Sequence, residues 1–389
     1  MTKIHIFTGK GGVGKTSVAA AHARLSSRLG ERTLIVSTDM AHNLGDIFQV
    51  KLGKTPIEVE SNLYVLEIDP NYSMNHEFVN MKKALEEMIS SSGIPVEEID
   101  NMNMFPGMDE LMSLLKLIEI YESGDYDRII VDCAPTGETL ALLKFPELMS
   151  WYVEKFFPLG KVAMRIMKPV TKMVYKIDLP NHKALTDIEK VFVRLVELQN
   201  LLKDKSITSI RLVTIPEKMV VEETKRSFMY LNLYNYGIDG VFINRILPRD
   251  IENPFFDEWL SIQNHYIDEL ESVFTNIPCY RIPWFDTDIN GIEGIDKIVD
   301  QVLIKEDVYR EVSLKNEEQY FETEDGYSLV LHIPGVDKGK VDIHESAVDV
   351  IIKIGNFKRN IPKPNSLRKY QISGAKYEDD RLRLSFVER

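Results

Sequence analysis

From Lys3 to about Ile304 the chain alternates short apolar runs with longer stretches in which apolar residues recur every three or four positions. The short runs are KIHIFT, RTLIVST, LYVLEID, DRIIVDC, SIRLVTI, DGVFINR and CYRIP. Such runs separated by helical patterns read as βαβ units. The pattern therefore predicts an α/β domain over residues 1–304, with a mostly parallel sheet flanked by helices. Two stretches, about 72–121 and 147–205, read as helical throughout. The second is too long for an ordinary crossover, and together they are expected to form a helical subdomain inserted on the sheet.

After Lys305 the pattern changes. A charged stretch, KEDVYREVSLKNEEQ, covers an expected linker at 305–317. GYSLVLHIPGV, KVDIHESAVDVIIKI, FKRNIP and DRLRLSFVER then alternate with a period of two, with turn residues between them. Residues 318–389 are expected to be a separate all-β sandwich of about seventy residues, within the range that folds alone. Every nucleotide motif found below precedes it, so it is expected to be accessory to the larger domain.

Composition narrows the function classes. A net charge of −13 disfavours nucleic acid as a partner, because phosphate contacts need a basic field. A basic cluster between Lys155 and Lys176 suits the solvated face of a helix equally well. The opening MTKIHIFTGK turns directly into a strand without the basic and apolar segments of a secretory signal, and no uncharged run reaches transmembrane length. A cytoplasmic protein is expected, touching a membrane only through a partner, if at all. The two cysteines, Cys133 and Cys279, cannot organise a disulfide scaffold.

The chemistry begins at Gly9-Lys10-Gly11-Gly12-Val13-Gly14-Lys15-Thr16, which fits the P-loop pattern G-x-x-x-x-G-K-[ST] between a strand and the helical run SVAAAHARLSSRLG. Glycines there let successive backbone N–H groups converge on phosphate oxygens. Lys15 would reach the β- and γ-phosphates of ATP, and the Thr16 hydroxyl would ligate Mg²⁺ at a helix N-terminus. Residues Gly9 to Thr16, with Ser17, are the expected nucleotide contacts.

Lys10, directly after the first glycine, is not required by that pattern. It resembles the signature lysine of the deviant Walker A class, which includes ParA, MinD, the nitrogenase iron protein and ArsA. The resemblance implies that Lys10 reaches across a homodimer interface to the partner's nucleotide. Ser37-Thr38-Asp39-Met40-Ala41-His42-Asn43-Leu44 resembles the STDPAHSL switch I of the ArsA and tail-anchored-protein-targeting ATPases. Asp39 then corresponds to the carboxylate that orients the attacking water; its other reading is a helix cap. Asp132-Cys133-Ala134-Pro135-Thr136-Gly137-Glu138-Thr139-Leu140 resembles the family's DTAPTGHTLR switch II, with Asp132 on Mg²⁺ and Gly137 sensing the γ-phosphate. Met40, Asn43, Cys133, Glu138 and Ala141 depart from the family pattern, at positions that relay the γ-phosphate signal. Asn244, in VFINR, corresponds to the residue that reads adenine, and Pro283 and Phe285, in IPWFDTD, to the loop over the base. Lys15, Lys10 and Asp39 are thus the candidate catalytic residues, and Thr16, Asp39 and Asp132 the candidate metal site.

The resemblance covers about three quarters of the chain. The remainder resembles the α-crystallin, or small-heat-shock, domain appended to some bacterial and plastid members, through Leu331-His332-Ile333-Pro334-Gly335-Val336 and Asp380-Arg381-Leu382-Arg383-Leu384. Arsenite sites in ArsA and the zinc clasp of eukaryotic targeting factors use clustered cysteines, which two dispersed thiols cannot build within one chain. Eleven of the fifteen methionines fall between residues 74 and 173, with Met104, Met108 and Met112 at helical spacing. They read either as core or as an adaptable groove for apolar helices. The implied function is an ATP-hydrolysing homodimeric switch for hydrophobic protein segments. The alternatives are a subunit driving an arsenite or anion pump and a MinD- or ParA-like spatial organiser. An acidic balance and an all-β C-terminus disfavour the organiser.

Overall fold

The computed structural model describes residues 1–39, 43–69, 108–133, 187–249, 253–309, 318–323, 326–346 and 349–389, together with residues 72, 73, 76, 79 and 251. Its centre is an eight-stranded sheet of β1 (Lys3–Thr8), β2 (Thr33–Ser37), β3 (Ile57–Glu60), β4 (Leu63–Glu67), β5 (Arg128–Asp132), β6 (Thr208–Thr214), β7 (Ile238–Ile246) and β8 (Cys279–Pro283). Their spatial order is β3-β4-β2-β5-β1-β6-β7-β8. All neighbours are parallel except β3 and β4. The central strands are buried on both faces, which explains why their sequences are near-continuous in apolar residues. Strand β3 was not among the expected strands. It is a four-residue antiparallel edge, IEVE, whose alternate residues are exposed glutamates.

Helices cover both faces. On one, α1 (Lys15–Arg28), α2 (Asn43–Phe48) and α7 (Gly291–Ile298, continued by a π-helical turn to Leu303) share a core with Phe7, Ile35, Ile130, Val213 and Phe242. On the other, α3 (Met108–Ser123), α4 (Asp187–Lys203), α5 (Lys218–Leu233) and α6 (Pro254–Val273) pack on Ile4, Ile6, Val36, Ile129 and Ile243. Alternate residues of β1 thus serve opposite layers, as a strand period of two requires. Helices α3 and α4 are the described parts of the expected helical subdomain, and they contact each other. Met112 of α3 is completely buried and belongs to the core. The remaining methionines between residues 74 and 104 and between 149 and 173 lie outside the described residues, as does the basic cluster from Lys155 to Lys176.

The C-terminal unit forms two antiparallel sheets. One has the order β14-β15-β10-β9 and the other β11-β12-β13, where β9 is Glu318–Thr323, β10 Gly326–His332, β11 Val341–Glu345, β12 Asp349–Ile354, β13 Phe357–Pro362, β14 Tyr370–Glu378 and β15 Arg381–Glu388. Leu329, Leu331, Val350, Ile352, Ile361, Leu382, Leu384 and Phe386 are buried between them, giving the alternation seen in the sequence.

This unit rests directly on the C-terminal end of α5. Phe357 meets Tyr230 edge to face with ring centroids 4.6 Å apart, and the Tyr234 hydroxyl donates to the Lys358 carbonyl at 2.6 Å. The Arg359 guanidinium, on a residue only 5% exposed, donates to the Leu233 carbonyl and to Glu318. One continuous apolar cluster runs from the sheet through these aromatic residues into the β unit.

Candidate active site

Strands β1, β2 and β5 end together at the carboxyl edge of the sheet. Thr38 N–H donates to the Asp132 carbonyl at 3.0 Å and Cys133 N–H to the Phe7 carbonyl at 3.1 Å. Three segments singled out in the sequence, after Thr8, Ser37 and Asp132, thereby start from adjacent strand ends. Ligands of open parallel sheets bind at this edge.

The loop after β1 needs its glycines for two distinct reasons. A Cβ on Gly9 would overlap the Val213 carbonyl oxygen of β6, so the loop can pass this close only without a side chain. Gly12 and Gly14 have φ of 81° and 91°, in the left-handed region that favours glycine. A Cβ on Gly14 would also overlap the Asn244 amide nitrogen. The loop delivers Gly14 to the start of α1, whose first turn carries no acidic residue, so no side chain of that turn offsets the positive end of the helix facing the site. Lys15 is 7% exposed, and its ammonium donates to the Lys10 carbonyl at 3.4 Å, which folds it over its own loop.

Asp132 is the electrostatic centre of the edge. It is 1% exposed, and neither carboxylate oxygen has a hydrogen-bond partner. Burial pushes its carboxyl up to about 7; the Thr16 hydroxyl, close by but outside hydrogen-bond geometry, and the Lys15 charge pull it down in part, and the Asp39 charge adds to the rise. A buried carboxylate without a donor is costly unless a cation faces it. With Thr16 at the start of α1 and Asp39 nearby, these are hard oxygen donors of the kind Mg²⁺ takes. Asp39 is half-buried, its backbone held by an N–H bond to Ser37 Oγ at 3.1 Å.

Lys10 is placed differently from Lys15. Its side chain is 38% exposed, and its ammonium lies 4.0 Å from the Glu223 carboxylate of α5. Glu223 was not foreseen. VVEETKR reads as an ordinary charged helix face, and nothing in the spacing ties it to a loop two hundred residues earlier.

Asn244 lies at the end of β7, 8% exposed, and both atoms of its amide are engaged. Nδ2 donates to the Val13 carbonyl at 2.9 Å, and Oδ1 accepts from Arg245 N–H at 2.9 Å. The residue therefore braces the phosphate loop from behind, a contact that its place in the sequence did not suggest. Pro283 pairs with Ile246 across the β7–β8 ladder, and Trp284 N–H donates to the Ile246 carbonyl at 2.8 Å. Phe285 is half-buried against the apolar cluster of that face. Asn244, Pro283 and Phe285 thus belong to neighbouring strand ends at one edge. Gly137 and the segment Met40 to His42 lie outside the described residues. Among the described residues, no helix is long and apolar enough to cross a membrane.

Comparison with known proteins agrees with this geometry. The model of the anion-transporting ATPase family ArsA matches residues 2–304, and that of the HSP20-like domain found in ArsA matches residues 324–386. A protein of Aquifex aeolicus named "Putative arsenical pump-driving ATPase 1" is 32% identical over 391 residues, covering 98% of both chains. "ATPase ASNA1 homolog 1" of Paramecium tetraurelia is 30% identical over 76% of this chain and 90% of its own. "ATPase GET3A" of Arabidopsis thaliana is 29% identical over 74% of this chain and 80% of its own. With a phosphate loop, two carboxylates at its edge and these matches across nearly its whole length, the chain belongs to the ArsA family of ATPases, and its activity is the hydrolysis of ATP.

Proposed function

We propose that the protein is an ATP-gated homodimeric switch that binds hydrophobic helical protein segments. Lys15 and the N–H groups of residues 9–17 bind the phosphates, Asn244 supports the loop and reads the base, and Pro283 and Phe285 cover it. Gly137 senses the γ-phosphate. Thr16 and Asp132, with Asp39, hold Mg²⁺, which when bound neutralises charge on the phosphates. Asp39 orients the attacking water. Lys10 serves the nucleotide of the second copy. The observation that carries the dimer is the contrast between the two lysines, since Lys15 is folded over its own loop while Lys10 turns away from it and stays 38% exposed beside Glu223.

A nonhydrolysable ATP analogue with Mg²⁺ should therefore favour a compact dimer, because a ligand shared by two chains stabilises their association by mass action. Light scattering should show the dimer with the unmodified chain and a weaker dimer, formed only at higher concentration, with Lys10→Ala. A monomer under both conditions would reject the dimer. Zinc chelators should leave assembly unchanged.

Cysteine placement supports a protein client over an arsenite one. Cys133 follows β5 and Cys279 opens β8, with three strands between them. At the usual interstrand spacing that separation is about 19 Å or more, too far for one ion to bridge. Burial also pushes the Cys279 thiol up to about 12, which disfavours a thiolate. The name carried by the Aquifex relative is the specific ground for the second reading, a subunit driving an arsenical pump. A fluorescent apolar helical peptide should bind Asp39→Asn more tightly with ATP than with ADP. Equal or absent binding in both states, with arsenite-stimulated turnover in the unmodified protein, would favour the pump.

A further inference from the structure

Lys10 and Glu223 belong to parts of the chain whose relative position is set by the sheet. Strands β1 and β6 are neighbours, Gly9 lies against the Val213 carbonyl, and β6 leads through Pro216 into α5. Helix α5 is in turn pinned near Glu223. Thr224 Oγ1 meets Thr214 Oγ1 at 2.9 Å, and Lys225 bonds Glu222 at 2.8 Å and Glu269 of α6 at 2.7 Å. At its far end α5 carries the β unit through Leu233 and Tyr234. Glu223 is therefore a fixed post beside the phosphate loop, while the long side chain of Lys10 is the movable partner.

We propose that Glu223 parks Lys10 on its own chain, as a positioning residue whose contact must be given up before Lys10 can serve the nucleotide of a second copy. This rests on the reading that Lys10 acts across the dimer. The two destinations are mutually exclusive for a single ammonium group, so the intrachain pair opposes dimer closure by whatever it is worth. At 4.0 Å, with side chains 38% and 29% exposed, the pair is open to water, and contacts of this kind are weak. Weakness suits the role, because a tightly buried pair could not be released. Each dimer releases two such pairs, so their effects multiply.

The test compares four full-length chains, unmodified, Glu223→Gln, Lys10→Ala and the double variant, by sedimentation with a nonhydrolysable ATP analogue and Mg²⁺. Glu223→Gln keeps the side-chain shape and removes the charge. It should lower the dissociation constant of the analogue-bound dimer about threefold per chain, hence about tenfold in total, and added salt should narrow the difference. In the Lys10→Ala background the same substitution should change nothing, a cancellation that a merely structural role for Glu223 would not produce. The tether is overturned if Glu223→Gln has no effect, or shifts both backgrounds equally. Weaker dimerisation only where Lys10 is present would also overturn it, by placing Glu223 in the closed state instead. Undiminished dimerisation of Lys10→Ala alone would reject the cross-dimer reading itself, and the tether with it.

Discussion

Asp39→Asn is expected to bind ATP normally and to hydrolyse it about a hundredfold or more slowly, the usual loss when a positioned carboxylate stops handling a reacting water. The substitution keeps the size of the side chain and leaves the backbone bond to Ser37 intact. It removes a charge that adds to the rise of the Asp132 carboxyl, while Asn keeps an oxygen donor at the position and Thr16 and Asp132 still face the metal, so ATP binding should lose little. Lys15→Ala should fail in the opposite way. The lost ammonium makes charge-assisted contacts worth about 1.5–3 kcal/mol each, so ATP affinity should fall by about tenfold or more. Binding isotherms with a fluorescent ATP analogue, paired with single-turnover hydrolysis, separate the two effects. Normal turnover by Asp39→Asn would remove it from the reaction, and unchanged affinity in Lys15→Ala would remove that lysine from the phosphates.

The parts of this site that were legible in the sequence are those whose chemistry is local. Gly12, Gly14 and Lys15 announce themselves because the φ values and the helix start that they serve are set within a few residues. Asp39 and Asp132 stand out because one follows and the other ends a buried apolar strand, where an acid is conspicuous. The parallel sheet was legible for the same reason, whereas β3 was not. With two exposed glutamates in four residues, it has no run of apolar residues to mark it.

What the sequence concealed are contacts between distant strands. His5 of β1 donates through Nδ1 to Ser209 of β6 at 2.7 Å, and Ser209 donates to Asp239 of β7 at 2.9 Å. Arg211 pairs with the same aspartate at 3.1 Å, and Arg128 of β5 donates to the other ring nitrogen of His5. Burial, followed by the Arg211 and Arg128 charges, holds His5 well below its ordinary range and therefore neutral, as this donor pattern requires. No spacing rule links four strands in this way. The brace from Asn244 to Val13, the pairing of Lys10 with Glu223 and the seat of the β unit on α5 are of the same kind.

Arg359→Met should destabilise the whole protein by about 3–5 kcal/mol, the cost of removing one member of a buried ion pair. Arg359 has two roles at one place. It caps the carbonyl end of α5 at Leu233, where a cation suits the helix dipole, and it neutralises Glu318 at the start of β9. Burial alone would raise the Glu318 carboxyl, but the Arg359 charge and hydrogen bond outweigh it, with help from Lys203 and Lys205, and hold it below the usual glutamate range. A carboxyl lowered on folding contributes stability that is complete above its unfolded value of about 4.5 and fades as pH falls through the folded value. In Arg359→Met the same carboxyl has lost its main counter-charge, and burial then favours its neutral form. The gap between variant and parent should therefore be widest near pH 7 and should shrink below about pH 4.5. A chain ending near Ser313 keeps every nucleotide residue and should still bind ATP, but with Tyr230, Tyr234 and the end of α5 laid bare it should melt earlier. Chemical denaturation of the parent, Arg359→Met and the truncated chain at pH 7 and pH 4 measures all of this. A variant within 1 kcal/mol of the parent at pH 7, or a gap that does not narrow in acid, would show that Arg359 neither caps α5 nor compensates Glu318 to the extent that its geometry requires.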